Sequence, residues 1–323
     1  MKVAITDYSF PNLDVERGIL EPLGCTVVAG QCKTPEALIE LTADADYVIT
    51  QFAPMDAAVV SKLQKARVIV RYGIGFDNVD IDVAKAKNLP VCNVPAYCID
   101  EVADHTAAFI LGATRRLVEN DNVIKDGDWK LAVSLEAMRC LRDQTVGILG
   151  FGRIGREVVA RLRGFKCKIL VFDPVVPADD ITSAGCDAVS LDDLFTASDI
   201  LTLHCPSNAQ TRGVINSESL SKMKAGAILI NVGRGDLVDT AALVEALQSG
   251  QLSAASLDVF APEPLAADNP LRSMDNVITS SHIASCSVVA ARSLRESAAN
   301  IVADVIRGNP LTSIVNGVAS PEG

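Results

Sequence analysis

Short apolar runs alternate with amphipathic stretches along nearly the whole chain. Val3-Ala-Ile5, Thr26-Val-Val28, Tyr47-Val-Ile49 and Val68-Ile-Val70 are too brief for helices, whereas Val15 to Leu23, Pro35 to Leu41 and Ala57 to Leu63 repeat apolar positions at helical spacing. The first block, residues 1 to about 98, thus alternates strand and helix, the pattern of a parallel sheet with helices on both faces. The alternation resumes at Thr145. Strands are predicted at 146–149, 168–172, 187–189, 200–204, 227–230, 254–259 and 277–279, and helices at 153–165, 191–196, 217–223 and 240–247. Six or seven strands complete a second doubly wound sheet. Between the blocks, Glu101 to Val118 carries Ala103, Ala107, Ile110, Leu111 and Leu117 as one helical stripe, expected to serve as interdomain hinge and subunit contact. Residues 119–144, with the only tryptophan, Trp129, are expected to be irregular. A last helix is predicted from Ser287 to Arg307, stopped by Gly308 with Asn309-Pro310 beyond, and the Pro-Glu-Gly tail is expected to fray.

The strand at 146–149 runs straight into Gly150-x-Gly152-x-x-Gly155 and a helical pattern at Val158, Val159 and Leu162. Strand, tight turn and helix are the context that gives this glycine spacing meaning. Gly150 can take the turn, Gly152 lets the backbone approach a pyrophosphate, and Gly155 lets helix and strand pack closely. The first N–H groups of the helix then face the phosphates. The next strand ends at Asp173, 18 residues past Gly155 (173 − 155). An acidic side chain there can accept from both ribose hydroxyls of an adenosine and repels a 2′-phosphate, so NAD is expected over NADP. The bland alternative is that Asp173 caps the turn before Pro174.

Composition narrows the class. A chain of 323 residues is long enough for two domains, since single cores seldom grow beyond roughly 250 to 300 residues. Hydrophobic residues at 49% suit a packed globule rather than a disordered chain. No apolar run approaches the roughly 20 residues of a membrane span, and the N-terminus reads as a strand rather than a signal peptide. A cytoplasmic protein with no membrane partner is expected. The net charge of −11 argues against a nucleic-acid surface. Nine scattered cysteines, odd in number and without a Cys-x-x-Cys pair, fit reduced thiols, and no metal is expected. Histidine is scarce: His105, His204 and His282 are the only three, so any histidine acid–base chemistry must use one of them.

Three loops that follow strands of the second block carry pointed residues: Asn231-Val-Gly-Arg234-Gly235, Asp258 through Glu263-Pro, and Ser281-His282. All three should open on the edge where the glycine loop opens, beyond the carboxyl ends of the strands. Hydride transfer to a 2-oxo acid needs these three types. A guanidinium holds the substrate carboxylate bidentately, and an imidazole protonates the forming alkoxide. A carboxylate on the far imidazole nitrogen orients the ring and raises its pKa. Singly, Arg234 reads equally as a surface charge, Glu263 as a turn residue and His282 as a satisfied polar group. In the first block Arg71-Tyr-Gly-Ile-Gly75 follows the fourth strand, placed to offer backbone N–H groups to an anion or to be an ordinary turn.

At these residues the sequence resembles the D-isomer-specific 2-hydroxyacid dehydrogenase family. The resemblance rests on Gly-Ile-Gly-Phe-Asp-Asn-Val-Asp (73–80), Glu-Val-Ala-Asp-His-Thr (101–106), the glycine fingerprint, His204-Cys-Pro206, the Asn231 loop, Leu257-Asp-Val, Pro262-Glu-Pro and Ser281-His282. It implies two doubly wound α/β domains: a flavodoxin-like substrate domain of residues 1–99 and 288–323, and a Rossmann NAD-binding domain of residues 100–287 inserted into it. It also implies a homodimer built through the cofactor domain and the 101–118 helix.

Carried over by motif, the resemblance makes His282 the acid/base, Glu263 its partner and Arg234 the substrate clamp, helped by the amides of Tyr72, Gly73 and Ile74. Cofactor contacts are implied for Thr106, Arg153, Ile154, Asp173, Cys205, Pro206, Thr211, Val232, Asp258 and His282, besides Gly150, Gly152 and Gly155. Formate dehydrogenases of the superfamily differ, with glutamine where Glu263 stands. The pattern is similar to the branch of C-terminal binding protein, which includes NAD-binding corepressors, yet the tryptophan which that branch carries shortly after the histidine is absent from His282-Ile-Ala-Ser-Cys-Ser. Three functions follow as expectations. The first is an NAD-dependent dehydrogenase of small 2-oxo acids of the glyoxylate or hydroxypyruvate type. The others are a corepressor-like NAD(H)-sensing module and a phosphoglycerate dehydrogenase-type activity without the regulatory extension common in that group.

Overall fold

In the computed structural model, which describes residues 1–320, the apolar runs of the first block pair as parallel strands β1 (Lys2–Ile5), β2 (Thr26–Ala29), β3 (Tyr47–Thr50), β4 (Ile69–Arg71) and β5 (Val91–Cys92). Their spatial order is β2-β1-β3-β4-β5, all parallel. The central strands are buried along their length, β3 and β4 at every residue, because helices cover both faces. One face packs Val3, Ile5, Ile49 and Val70 against the long helix Val288–Arg307, which contributes Leu294, Ala298, Val302 and Val305 to that core. The other face packs Ala4, Val48 and Ile69 against Leu38, Val59 and Val60. The long helix ends at Gly308, left-handed at φ 73°, as a glycine stop allows. The fifth strand and a helix at Ile81–Ala86 were not predicted; a two-residue strand is too short to show a period, and its place is set by pairing with Ile69 and Val70.

The second block forms a separate seven-stranded parallel sheet from β6 (Thr145–Leu149), β7 (Lys168–Phe172), β8 (Asp187–Ala188), β9 (Ile200–Leu203), β10 (Ala227–Asn231), β11 (Leu252–Leu257) and β12 (Val277–Thr279). Its order is β12-β11-β10-β9-β6-β7-β8. The chain runs outward from β6 to β8, then returns to β9 on the other side and continues to β12. This reversal between β6 and β9 is the switch point at which doubly wound sheets bind ligands. Compact packing divides the chain into Met1–Tyr97 with the segment from Ser287 onward, and Cys98–Cys286.

The connecting segment departs from expectation. Ile99–Thr114 is a helix, but it stops at Arg116, which sits left-handed at φ 52°, and a second helix, Leu117–Lys125, follows. The residue types allow one continuous helix through Val118. Tertiary bonding breaks it, since the Arg116 guanidinium donates to the Ser253 carbonyl of β11 at 2.9 Å. Beyond Lys125 only single 3-10 turns occur before β6 (Leu135–Ala137, Leu141–Asp143), and Trp129 is 92% exposed. A helix at Ala178–Ser183 was likewise unpredicted. All nine cysteines are free, and no helix among the described residues is long and apolar enough to cross a membrane. The tail expected to fray lies outside the described residues.

Candidate active site

At the carboxyl end of β6 the chain turns through Gly150, whose φ of 100° suits glycine. A Cβ there would stand 2.7 Å from the Cys205 nitrogen, so the turn packs directly on the loop after β9, across the switch point. A Cβ on Gly155 would strike the Gly150 carbonyl, whereas one on Gly152 would meet nothing within 4 Å. The turn is tight behind and open at Gly152, and the helix Arg153–Leu162 starts at once with its first N–H groups unpaired by the helix itself. Such a cradle fits a dinucleotide pyrophosphate.

Asp173 accepts from the Phe151 amide at 2.7 Å through Oδ2, and from the Val175 and Val176 amides at 2.8 and 3.0 Å through Oδ1. It therefore caps the turn before β8 and ties it to the glycine loop. Oδ1 is filled by its two amides, and Oδ2 keeps a lone pair for a ribose hydroxyl. Cys205 lies half-buried beneath this edge, and desolvation pushes its thiol up to about 11, so it stays protonated. Pro206 is exposed, and Thr211, whose hydroxyl donates to the Pro206 carbonyl at 2.6 Å, folds the loop that carries it.

The three loops expected to carry chemistry all follow strands of this sheet at the same edge. After β10, buried Asn231 shapes the turn, its side chain donating to the Arg234 carbonyl at 2.8 Å and accepting from the Gly233 amide at 3.0 Å. Val232 is buried beneath it. Arg234 is half-buried and donates to the Gly233 carbonyl at 2.9 Å through Nη1. The next residue, Gly235, presses on the backbone of Phe260 so closely that any Cβ would overlap it, locking this loop to the one after β11.

From that second loop Glu263 meets His282 of the third: Oε2 lies 2.8 Å from Nδ1, with the side chains 34% and 28% exposed. The other oxygen, Oε1, accepts from the Phe260 amide at 2.9 Å. Burial pushes the Glu263 carboxyl up, but the hydrogen bonds from His282 and Phe260 and the charges of His282 and Arg234 outweigh it, leaving the group below its ordinary value. An ionised Glu263 accepts the Nδ1 proton of His282, which leaves Nε2 as the nitrogen that can gain and lose a proton.

His282 is left-handed at φ 58°, a conformation that costs a non-glycine residue about 1 to 2 kcal/mol. Asp258 holds it there. Completely buried, Asp258 accepts from Ser280 Oγ at 2.5 Å and from the Ile283 and Ala284 amides at 2.9 Å each, and its carbonyl takes the His282 amide at 2.8 Å. His105 Nε2 lies 3.1 Å from the same Ser280 hydroxyl. Asp258 and Thr106, both expected as cofactor contacts, thus spend their polar atoms inside the protein; the buried Thr106 hydroxyl donates to the Val102 carbonyl of its own helix at 2.7 Å. Ser280 and His105 were not singled out, since nothing local marks a serine or a helical histidine as part of such a brace. The third histidine, His204, is desolvated to a pKa of about 4 and stays neutral.

In the first unit the expected anion loop is only partly available. The Tyr72 amide donates to the Thr50 carbonyl at 2.8 Å, continuing the β3–β4 ladder, and the Gly73 amide donates to the Arg71 carbonyl at 2.9 Å. That leaves Ile74 as the one amide of the three not committed to another residue among those described. The Arg71 guanidinium lies directly beneath Gly73 and 5.6 Å from the Phe52 ring centroid.

Sheet order, glycine cradle and the Arg-Glu-His loops define a dinucleotide-binding protein of the 2-hydroxyacid dehydrogenase type, and comparison with known proteins agrees. A family model described as the NAD binding domain of D-isomer specific 2-hydroxyacid dehydrogenases matches residues 107–284. The chain belongs to this family. A glyoxylate reductase of Thermofilum pendens is 36% identical over 307 residues, covering 90% of this chain and 88% of the relative. A D-3-phosphoglycerate dehydrogenase of Archaeoglobus fulgidus is 35% identical over 83% of the chain, which spans about half (51%) of that longer relative. Among solved structures, D-lactate dehydrogenase from Aquifex aeolicus complexed with NAD and lactic acid superposes with a TM-score of 0.84 at 32% identity, covering 95% of this chain and 96% of that one.

Proposed function

We propose that the protein is an NAD-dependent D-2-hydroxyacid dehydrogenase that interconverts a small 2-oxo acid of the glyoxylate or hydroxypyruvate type and its D-2-hydroxy acid. The observation that carries this reading is the 2.8 Å contact of Glu263 with His282, on loops locked to the one bearing Arg234. The Thermofilum relative named glyoxylate reductase supports the substrate class.

NAD would be held by the Gly150–Gly155 turn, the N-terminus of the helix at Arg153 and Ile154, and Asp173, with Cys205, Pro206, Thr211 and Val232 lining the same edge. Bound there, it would supply the hydride in its reduced form and accept it in its oxidised form. The protein's own residues do the rest. Arg234 holds the substrate carboxylate, which fixes the face that the carbonyl presents. His282, its Nδ1 proton held by Glu263, gives the Nε2 proton to the alkoxide oxygen and takes it back in the oxidative direction. Asp258 keeps that imidazole in place. In this reading the protein is cytoplasmic and works as a homodimer.

A panel of glyoxylate, hydroxypyruvate and longer 2-oxo acids with NADH and NADPH tests the proposal. Turnover is expected with at least one two- or three-carbon acid and NADH, and its absence across the panel sinks the reading. NADPH should be poorer by roughly tenfold or more in kcat/KM, because one like-charge clash of about 1.4 kcal/mol at Asp173 suffices for that factor. Equal use of both cofactors removes the role given to Asp173. Arg234→Ala is expected to raise KM and lower kcat together, since binding and orientation are lost at once; an unchanged kcat would show that Arg234 only binds.

A second reading, a 3-phosphoglycerate-type substrate, draws on the Arg71 cation beneath Gly73 and on the relatives of that name. Preference for a phosphorylated three-carbon acid in the same panel decides for it.

A further inference from the structure

Along the carboxyl edge of the seven-stranded sheet each loop is fastened to a neighbour. The Gly150 turn packs on Cys205, Asp173 takes the Phe151 amide, Gly235 presses on Phe260, and Asp258 holds residues 280, 283 and 284. One seam lies between the loop after β9, which carries Cys205, Pro206 and Thr211, and the loop after β10, which carries Arg234. It joins the cofactor half of the edge to the half that bears the Arg-Glu-His set.

This seam is closed in two ways. The far leg of the first loop is zipped by backbone: the Gly213 amide donates to the Asp236 carbonyl at 2.8 Å, the Ile215 amide to the Leu237 carbonyl at 3.0 Å, and the Asp239 amide to the Ile215 carbonyl at 2.8 Å. The tip, residues 206–212, otherwise hydrogen-bonds only within its own loop. There the Asn208 amide donates to Thr211 Oγ1 at 2.9 Å, and Thr211 Oγ1 to the Pro206 carbonyl at 2.6 Å. Among the described residues, one side chain from another loop reaches the tip, and it is Asp236. Its Oδ2 accepts from Ser207 Oγ at 2.6 Å and lies 3.2 Å from Arg212 Nε.

Of these two contacts the Ser207 bond is the stronger. Arg212 is 63% exposed, and an ion pair in that setting contributes little, whereas a short hydroxyl–carboxylate bond is charge-assisted. Stability alone does not ask for a carboxylate here. The second oxygen, Oδ1, is buried without a hydrogen-bond partner among the described residues, a desolvation cost that an apolar side chain would avoid. The charge is also felt at the cofactor edge: burial first, then the charges of Asp173 and Asp236, push up the Cys205 thiol.

We propose that Asp236 is a positioning residue for the cofactor, the joint that fastens the tip of the β9 loop at Ser207 to the loop bearing Arg234. The proposal rests on the reading of this edge as the NAD site. With the joint closed, Pro206 and Thr211 are held in place before the dinucleotide arrives. With it open, the tip must be ordered on binding, and that lost freedom appears as weaker affinity. Arg234 itself keeps its place, because Asn231 still donates to its carbonyl.

The test is fluorescence titration of NADH on the unaltered chain and on Asp236→Ala, Ser207→Ala, Asp236→Asn and Arg212→Gln, with thermal unfolding and amide hydrogen exchange of the NADH-free proteins beside it. Asp236→Ala and Ser207→Ala are each expected to raise the Kd for NADH about five- to tenfold, and the two together no further, since both cut one bond. Asp236→Asn keeps an acceptor for Ser207 and should recover most of the loss, while Arg212→Gln should stay within about twofold. Amides of residues 207–212 should exchange faster in Asp236→Ala, although its Tm should fall by no more than about 2 °C. An unchanged Kd in Asp236→Ala overturns the proposal. So does a raised Kd that Asp236→Asn fails to recover or that tracks a larger fall in Tm, since either marks a residue needed only for folding. Failure of the unaltered chain to bind NADH would instead sink the cofactor reading on which the proposal rests.

Discussion

Replacing His282 with alanine is expected to lower kcat for reduction of hydroxypyruvate or glyoxylate by NADH about 100- to 10,000-fold, the usual worth of a positioned acid or base. NADH binding should remain nearly intact. The three histidines make the test sharp. His204 is held neutral by desolvation, and His105 is tied to the Ser280 hydroxyl of the brace. Of the three, only His282 has a ring nitrogen within hydrogen-bond distance of a carboxylate, Glu263 at 2.8 Å. The substitution removes the proton carrier but leaves a non-glycine residue at φ 58°, so no backbone strain is relieved and none is added. Steady-state rates with fluorescence titration of NADH separate the outcomes. Turnover within a factor of a few of the unaltered protein would remove His282 from the chemistry. Loss of NADH binding in parallel would mean that the Asp258 brace, not acid–base transfer, had been broken.

How much of this was legible in the chain follows from how local each signal is. The glycine spacing is a backbone instruction: Gly150 at φ 100° and Gly155 against the Gly150 carbonyl are demands of a few consecutive residues, and they read directly. Arg234, Glu263 and His282 could be picked as a set because each follows a recognisable buried strand, and parallel strands deliver their loops to one edge. What escaped is whatever depends on a partner far away in sequence. Asp258 looks like a cofactor ligand on its motif, yet its carboxylate is consumed by residues 280, 283 and 284. Tyr72 looks like part of an anion loop, yet its amide finishes a ladder with Thr50. The helix break at Arg116 depends on Ser253, 137 residues on, and no propensity scale contains that bond. Strand β5 is defined by pairing with Ile69 and Val70 on one side and by Ile314 to Asn316 on the other.

Glu16→Ala is expected to destabilise the first unit by about 3 to 5 kcal/mol, the cost of stranding one member of a buried ion pair. Glu16 is 0% exposed and its carboxylate accepts from Arg295 Nε at 2.9 Å, Arg295 Nη2 at 2.7 Å and the Tyr72 hydroxyl at 2.9 Å. Burial and the Glu16 charge push the Tyr72 phenol far above its ordinary range, so it remains a donor. Arg295 stacks 5.0 Å from the Phe10 ring centroid, and Phe10 meets Tyr72 edge-on. Removing the carboxylate leaves a guanidinium only 10% exposed without its counter-ion. Urea unfolding should show a lower midpoint for Glu16→Ala. The paired replacement Glu16→Leu with Arg295→Met should recover most of the loss, since a well-packed apolar pair often equals a buried ionic one. A cost below about 1 kcal/mol for Glu16→Ala would mean that the pair is weak or solvated. The same triad joins the helix Val288–Arg307 to the residue before the Gly73-Ile74 turn. An enzyme that used the Ile74 amide for its substrate should therefore show, in the paired apolar variant, a raised KM with kcat nearly unchanged, because the turn loses its anchor while the His282 machinery does not.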